Sequence, residues 1–233
     1  MVDVQGVLGR MKICILIPVH NEANGIDFLI EELKKKAFDV IVVDDGSTDE
    51  SGLIAKEKGA IVLTHPQKMG KGVSLRDGFD YAIQQGYEGL ITMDGDRQHD
   101  VKDLTQFILK AKECHPCVIA GSRMRNYKGM PFIRLIVNRI MSAMVSMLCR
   151  QSIPDTQCGF RFISCEILGD IQLSSGDFEI ESEVLIKASR KGYKIYSVPI
   201  KTIYRNELSK INPCIDTIRF LAFITREMLS PKS

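Results

Sequence analysis

Apolar, strand-like runs alternate with helical patterns from Lys12 to Ala120. That alternation predicts an α/β fold of right-handed βαβ units around a mainly parallel sheet. A second observation agrees. The runs ending at Ile17, Val43 and Met93 each lead into an acidic or polar turn, and in open sheets of this kind ligands bind at the carboxyl ends of the strands. A third concerns organisation. No internal repeat, low-complexity tract or linker divides the chain, so residues 1–233 are expected to form one domain. Within it, residues 11–125 carry the ordered alternation, and residues 126–233 change in character.

The elements follow in order. Lys12 to Ile17 reads as a strand buried on both faces, closed by Pro18 and the loop Val19-His20-Asn21-Glu22. Asn24 is the expected cap of a helix running to about Lys36, with Ile26, Leu29, Ile30 and Leu33 on one face. Val40 to Val43 is a second strand, ending in Asp44-Asp45-Gly46-Ser47-Thr48-Asp49. A short helix reaches Lys58, and Ile61 to Leu63 form a third strand. Gly70-Lys71-Gly72 opens a helix through Leu75, Phe79 and Ile83 that stops near Gly86. The strand Leu90 to Met93 precedes a helix over Leu104, Phe107 and Ile108, and Val118 to Ala120 is the next strand. Later come a strand-like Phe160 to Ser164, a helix from Phe178 to Arg190, and a strand from Lys194 to Val198 closed by Pro199. Asn212-Pro213 is a good start for a final amphipathic helix.

Composition narrows the partners. Of 233 residues 45% are hydrophobic and 26% charged, with a formal charge of +2 and a pI near 8.1, which does not suggest a nucleic-acid binder. The stretch Met1 to Arg10 lacks a basic segment followed by an apolar core, so no signal peptide is expected, and Met11 is an alternative start. No run of about 18 uninterrupted apolar residues points to a membrane span. Seven cysteines without an export signal suggest reduced thiols in the cytoplasm. Cys114-His115-Pro116-Cys117 has CxxC spacing, but no second ligand pair for zinc is evident, and these are expected to be structural cysteines.

Pro131 to Arg150 is unusual. Arg134, Asn138, Ser142, Ser146 and Arg150 recur every four residues among almost wholly apolar neighbours. On a helix that leaves a polar stripe and a wide apolar face. Two readings stand: a core helix packed on several sides, or an interfacial helix sunk in a membrane surface.

The chemistry centres on Asp94-Gly95-Asp96 with Gln98. Two carboxylates one residue apart at a strand's end can converge on a cation, Gly95 permitting the tight turn. Hard oxygen donors of this type suit Mg²⁺ or Mn²⁺, which keep positions open for substrate phosphates. Alone, the tripeptide is equally ordinary turn chemistry.

With these residues assembled, the chain resembles the family 2 glycosyltransferases of the GT-A fold, a Rossmann-like three-layer sandwich. The nearest branch makes dolichyl- or polyprenyl-phosphate sugars. The likeness rests on Ile17-Pro-Val-His-Asn-Glu22, Val42-Val-Asp-Asp-Gly-Ser-Thr-Asp49, Gly70-Lys-Gly72, Leu75-Arg-Asp-Gly78, Met93-Asp-Gly-Asp-Arg-Gln-His99 and Ala120-Gly-Ser-Arg123. It continues through Asp155-Thr-Gln-Cys-Gly-Phe160, Glu183-Val-Leu-Ile-Lys187, Ser197-Val-Pro199, Tyr204-Arg205 and Ser209-Lys210. By this resemblance Pro18, His20 and Glu22 hold the nucleoside, with His20 where relatives often have Tyr. Val43 and Asp45 form the base-binding pair, and Lys71 and Gly95 belong to the donor site. Asp94 and Asp96 meet ribose, diphosphate and metal, and Gln98 is a further metal ligand. Arg123 lies beside the donor, and Arg205 and Lys210 belong to a basic loop closing over the phosphates. Residues 11–125 become the nucleotide-sugar half and residues 126–233 the acceptor-binding, membrane-facing half, with amphipathic C-terminal helices.

Departure of a nucleoside diphosphate leaves negative charge on the β-phosphate, which a divalent ion and nearby cations stabilise. The resemblance implies inverting transfer, and Asp96, Arg123 and Asp155 are the candidate catalytic residues. The leading acceptor is a polyprenyl phosphate at a cytoplasmic membrane surface, met by a peripheral protein. The alternative is a hydroxyl on a glycan, which needs a general base. Asp155 is the candidate base, or else a loop cap. Glu183 is either an acceptor-side ligand or an exposed charge paired with Lys187, one turn on. His99 reads as a hydrogen-bonded neighbour of the site. UDP- and GDP-sugars both remain open as donors. A sugar-nucleotide pyrophosphorylase ranks lower, because Pro-Val-His-Asn-Glu stands where a Gly-rich basic loop is expected, and a non-catalytic nucleotide-binding scaffold is the remaining reading.

Overall fold

In the computed structural model, residues 11–125, 130–201 and 213–229 are described, the side chains of residues 213–218 excepted. The ordered half runs β1 (Ile13–Val19), α1 (Ala23–Lys35), β2 (Asp39–Asp44), α2 (Ser51–Glu57), β3 (Ile61–Thr64), α3 (Lys71–Gln84), β4 (Gly89–Thr92), a 3₁₀ turn (Val101–Asp103), α4 (Leu104–Cys114) and β5 (Val118–Ser122). It is followed by α5 (Phe132–Cys149), β6 (Arg161–Ser164), α6 (Cys165–Asp170), α7 (Ile180–Arg190), β7 (Ile195–Pro199) and α8 (Pro213–Leu229). The strands form one seven-stranded sheet in the order β3-β2-β1-β4-β6-β5-β7. Its pairings are parallel except that β6 runs antiparallel to both neighbours.

Period-2 alternation in doubly buried strands creates two cores. Cys14 and Leu16 of β1 face Leu75, Phe79 and Ala82 of α3, together with α5, α6, α7 and α8. Ile13, Ile15, Ile17 and Val19 face α1, α2 and α4 through Ile26, Leu29, Ala55, Phe107 and Ile108. The result is the expected α/β/α three-layer GT-A sandwich. Because β6 is reversed, Thr92 of β4 is paired with Arg161. The loop before β6 therefore reaches the edge where the parallel strands end.

Several local expectations change. Pro18 does not end β1; it continues in register with Val43. Its missing N–H costs no ladder bond on the other side, because β4 pairs with β1 only from Ile13 to Leu16. Asn24 is not the cap of α1, which begins at Ala23. The first N–H groups are met from the next loop instead, by Ser51 Oγ on Glu22 N (2.8 Å) and Asp49 on Ala23 N (3.1 Å). The short helix α6 has no counterpart in the sequence reading. Asn212 lies outside the described residues, as do Tyr204, Arg205, Ser209 and Lys210. Cys114 and Cys117 are joined in a disulfide, not held as reduced thiols, since the α4–β5 turn sets their Cα atoms 5.8 Å apart. Cys14, Cys149, Cys158 and Cys165 are free and buried.

The largest surprise is the orientation of α5. The middle of its polar stripe faces inward, beside the buried Leu135, Val145 and Cys149. Asn138 and Ser142 are 4% exposed, while Phe132, Ile133, Ile140 and Met147 are 74, 76, 56 and 68% exposed. The inward polar groups bind the loop ahead of β6. Asn138 Nδ2 donates to Asp155 Oδ1 (3.4 Å), Thr156 N donates to Ser142 Oγ (2.9 Å), and Ile153 N donates to Ser146 Oγ (3.0 Å). With 18 residues and a mean hydropathy of 1.6, α5 is long and apolar enough to cross a bilayer. Its hydrogen bonds to residues 153–156 tie it to the body instead.

This inversion gives opposite stabilities on the two faces of α5. Ser142→Ala removes an acceptor from the buried Thr156 N–H and is expected to cost about 1–3 kcal/mol. Ile136→Ser on the outer face is expected to stay within about 0.5 kcal/mol of wild type. Urea unfolding of both variants checks the contrast.

Candidate active site

The β1, β2 and β4 turns meet at one lip of the sheet. Asp45 N donates to Val19 O (2.9 Å), and His20 Nδ1 lies 2.9 Å from Asp45 O. Thr48 N donates to Asn21 Oδ1 (2.8 Å), so the first two turns are stitched together. The third is packed against the first: a Cβ on Gly95 would lie 3.2 Å from Val19 Cγ1 and 3.5 Å from Glu22 Cγ. Pro18 and Val43 sit side by side beneath the lip, Val43 fully buried.

Charge is concentrated where β4 ends. Burial of Asp96, together with the neighbouring carboxylates Asp94 and Glu22, pushes its carboxyl above the usual range. Asp94 behaves oppositely. Its burial would raise it, but Lys71 and His99 outweigh that and hold it well below the ordinary value. Lys71 Nζ donates to Asp94 Oδ1 (2.7 Å) and lies 2.8 Å from Glu181 Oε1. His99 Nε2 is 3.3 Å from Asp94 Oδ2, and its ring packs 4.9 Å from that of Phe160. Gln98 N donates to Asp96 Oδ1 (3.0 Å). Gly159 is needed for close approach, since a Cβ there would lie 2.6 Å from Asp94 Oδ2. Among the described residues, no group of three or more His, Cys, Asp or Glu side chains is arranged to hold a metal ion by itself.

Behind the crevice, Asp155 is fully buried and holds Arg123 as a fork. Arg123 Nε and N donate to Oδ2 (2.8 and 3.1 Å), and Nη2 donates to Oδ1 (2.9 Å). Burial alone would raise the Asp155 carboxyl; Arg123 outweighs it and holds it low. A carboxylate with both oxygens engaged and its proton affinity depressed is a weak general base. Arg161, 1% exposed, ties the same loop through Cys158 O (2.7 Å) and Thr156 O (2.7 Å), and reaches Glu181 O.

Glu183 is fully buried, not exposed as one sequence reading had it. It does pair with Lys187, at 2.6 Å, and also accepts from Ser174 N and Ser175 N. Its carboxylate thereby fixes the loop whose Gly176 O takes the N–H groups of Gly72 (2.9 Å) and Val73 (3.3 Å). The start of α3 is thus capped by protein. Gly72 serves that close approach, because a Cβ there would meet Gly176 C at 2.5 Å.

The structure therefore brings Pro18, His20, Glu22, Val43, Asp45, Lys71, Asp94, Gly95, Asp96, Gln98 and Arg123 to one edge, with Asp155 behind Arg123. Sequence reading missed Glu181, Arg161 and His65, and the partner of Asn138, because these contacts form only through tertiary structure. For Glu181 the available signal was a run of carboxylates at positions 179, 181 and 183 around the start of α7.

A Rossmann-like sandwich with an acidic crevice at the carboxyl edge of its sheet is the architecture of GT-A sugar transferases. The chain matches the Glycosyl transferase family 2 model over residues 14–172 and belongs to that family; it is a glycosyltransferase. It is 30% identical over 215 residues to the UDP-N-acetylglucosamine–dolichyl-phosphate N-acetylglucosaminyltransferase of Methanococcus voltae, covering 82% of this chain and 86% of that one. It is 27% identical over 212 residues to the polyprenol monophosphomannose synthase of Mycolicibacterium smegmatis, covering 85 and 80%. Among solved structures, glucosyl-3-phosphoglycerate synthase from Mycobacterium tuberculosis, crystallised with Mn²⁺, UDP and glucosyl-3-phosphoglycerate, superposes with a TM-score of 0.72 at 17% identity. That match covers 97% of this chain and 81% of the other and reflects a shared fold.

Because Asp155 and Arg123 are buried as a pair, Asp155→Ala strands the guanidinium and is expected to destabilise the protein by about 3–5 kcal/mol, as is Arg123→Ala. The double variant should lose less than the sum. The sign of the pH dependence follows from the lowered carboxyl. Its stabilisation is present above the unfolded-state value of about 3.9 and is lost as pH falls through the folded value, so the acid limb should flatten in Asp155→Ala. Urea titrations between pH 7 and 3 measure both.

Proposed function

We propose that the protein transfers a sugar, with inversion, from a nucleotide-sugar donor to a polyprenyl phosphate at a membrane surface, with Mg²⁺ or Mn²⁺ in its crevice. The single observation that carries the acceptor reading is the inverted helix α5. Its inner face holds the Asp155 loop, and its outer face presents Phe132, Ile133, Ile136, Val137, Ile140 and Met147. Exposed apolar stripes of this breadth mark contact with a lipid or protein surface. A lipid acceptor would meet the protein there, one helix away from the crevice, and relatives named for dolichyl-phosphate and polyprenol substrates support it.

The crevice fits a hard divalent ion. Burial first, and then the negative charge of Asp94 and Glu22, pushes the Asp96 carboxyl up, and these carboxylate oxygens are the donors such ions prefer. Asp94, Asp96 and Gln98 would hold it, with diphosphate oxygens completing the coordination. Once bound, the ion supplies positive charge to the departing diphosphate. The side chains do the rest. Lys71 stands at Asp94 and adds a second cation on the leaving-group side. Pro18, His20, Glu22, Val43 and Asp45 hold the nucleoside. By family resemblance, Arg205 and Lys210, which lie outside the described residues, would add cations for the phosphates.

Asp155 is then a positioning residue for Arg123. A phosphate acceptor is already ionised near neutral pH, so its attack on the anomeric carbon requires no base, in keeping with the engaged Asp155. A saccharide hydroxyl would require one.

The test supplies labelled UDP- and GDP-sugars to enzyme with polyprenyl phosphate in vesicles, or with soluble saccharides. Expected is label on the lipid phosphate, abolished by EDTA and restored by Mn²⁺ or Mg²⁺. Label transferred only to saccharide hydroxyls contradicts the reading. Separately, Ile133→Glu with Ile140→Glu is expected to lower vesicle binding at least about tenfold, by removing buried apolar area, while leaving the melting temperature unchanged. Flotation on a density gradient reads the loss; undiminished binding would exclude α5 as the docking face.

A further inference from the structure

We propose that His65 is a positioning residue of the donor site: an imidazolium clamped between Asp45 and Asp77, it fixes the Asp45 carboxylate and the β3–α3 loop, and gives nucleotide binding an alkaline limit. This rests on the reading of Asp45 as a nucleobase partner. His65 follows the last residue of β3 and donates its backbone N–H to Asp44 O (2.9 Å). Its ring is 8% exposed. Nδ1 lies 2.9 Å from Asp45 Oδ1 and Nε2 lies 2.9 Å from Asp77 Oδ2. Ionised carboxylates only accept. A neutral imidazole has one N–H and would set a lone pair against one of them, whereas the imidazolium donates to both.

The charged groups set against the ring are Asp45, from the end of β2, and Asp77, from α3. Burial works against the ring's charge, but these two carboxylates outweigh it and raise the imidazolium pKa above its ordinary value of 6.5. The clamp is therefore complete at neutral and mildly acidic pH and is lost as pH rises through the raised value.

Asp45 is what the clamp holds, and it is a hub. Oδ1 accepts from His65 and from Met69 N (2.7 Å), and Oδ2 accepts from Gly70 N (2.9 Å). Its backbone carbonyl meets His20. One residue thus joins the β1 loop, the end of β3 and the start of α3 that carries Lys71. Losing the charged donor on Oδ1 leaves a buried carboxylate short of compensation and loosens its hold on residues 69 and 70. The ring itself is bonded to Asp45 and Asp77 and not to the Asp94–Asp96 pair.

Asp77 is 48% exposed, so Asp77→Asn is a mild change that keeps an acceptor and removes the charge. Two readouts follow. In ¹H–¹³C spectra of the four histidines, with His65 assigned by His65→Gln, the wild-type ring should titrate above 6.5, and measurably lower in Asp77→Asn. In calorimetric titrations with UDP or GDP plus Mn²⁺, affinity should fall on the alkaline side. The pH of that fall should move down by the same interval in Asp77→Asn, with affinity at pH 6 within about twofold of wild type. A wild-type ring titrating at or below 6.5, or identical pH profiles for the two proteins, overturns the proposal. Absence of binding by either nucleotide at every pH, with His65 titrating as expected, overturns instead the donor-site reading on which it rests.

Discussion

The crevice is organised by a charge problem. Three carboxylates, Asp94, Asp96 and Glu22, are drawn to the end of β4 by a parallel sheet whose turns all open at one edge. Packed carboxylates repel, and such a site persists only with compensating cations. Lys71 supplies one, shared between Asp94 and Glu181. Much of the surrounding architecture holds that lysine in place. Glu183 fixes the loop that caps α3, Asp45 anchors residues 69 and 70, and Arg161 holds the backbone of Glu181. The positive charge is thus in position before any ligand arrives, which is how preorganised sites lower the cost of charge development.

The second organising feature is the reversal of α5. Amphipathic helices usually put their apolar stripe on the core; here Asn138, Ser142 and Ser146 share that side with Leu135, Val145 and Cys149 and supply hydrogen-bond partners to the loop from Ile153 to Thr156. A second apolar face, from Phe132 to Met147, is left outward. One helix therefore connects the Asp155–Arg123 pair to an exposed greasy surface. Helix α8 is fastened differently, by Phe220, Phe223 and Ile224 in the core and by Arg190 on Glu227 at 2.7 Å.

Fold class was legible because the ordered half obeys simple periodicities: buried strands of four to seven residues, helices with one apolar face, and turns at the expected ends. The residues of the crevice were legible where they are adjacent in sequence, as in Asp94-Gly95-Asp96. What stayed hidden depends on which face meets which neighbour. The four-residue spacing of Asn138, Ser142 and Ser146 reveals a stripe but not its direction, since a buried hydrogen-bonded stripe and a solvated one share the same period. Glu183 looked like a helix-surface charge paired with Lys187, and that pair does form; its burial follows from Ser174 and Ser175, whose approach no local pattern encodes. His65 and Asp77 carry no local signal of partnership, because the β3–α3 loop alone brings them together.

The central claim is that the carboxylate crevice takes a divalent cation together with a nucleoside diphosphate. Electron paramagnetic resonance of Mn²⁺ tests it most directly, since the free-ion signal disappears on binding. The account expects Mn²⁺ to be taken up when protein and UDP or GDP are both present, and to remain free when Asp94→Asn and Asp96→Asn are combined. Equal uptake by wild type and double variant, or no uptake with either nucleotide, would contradict it.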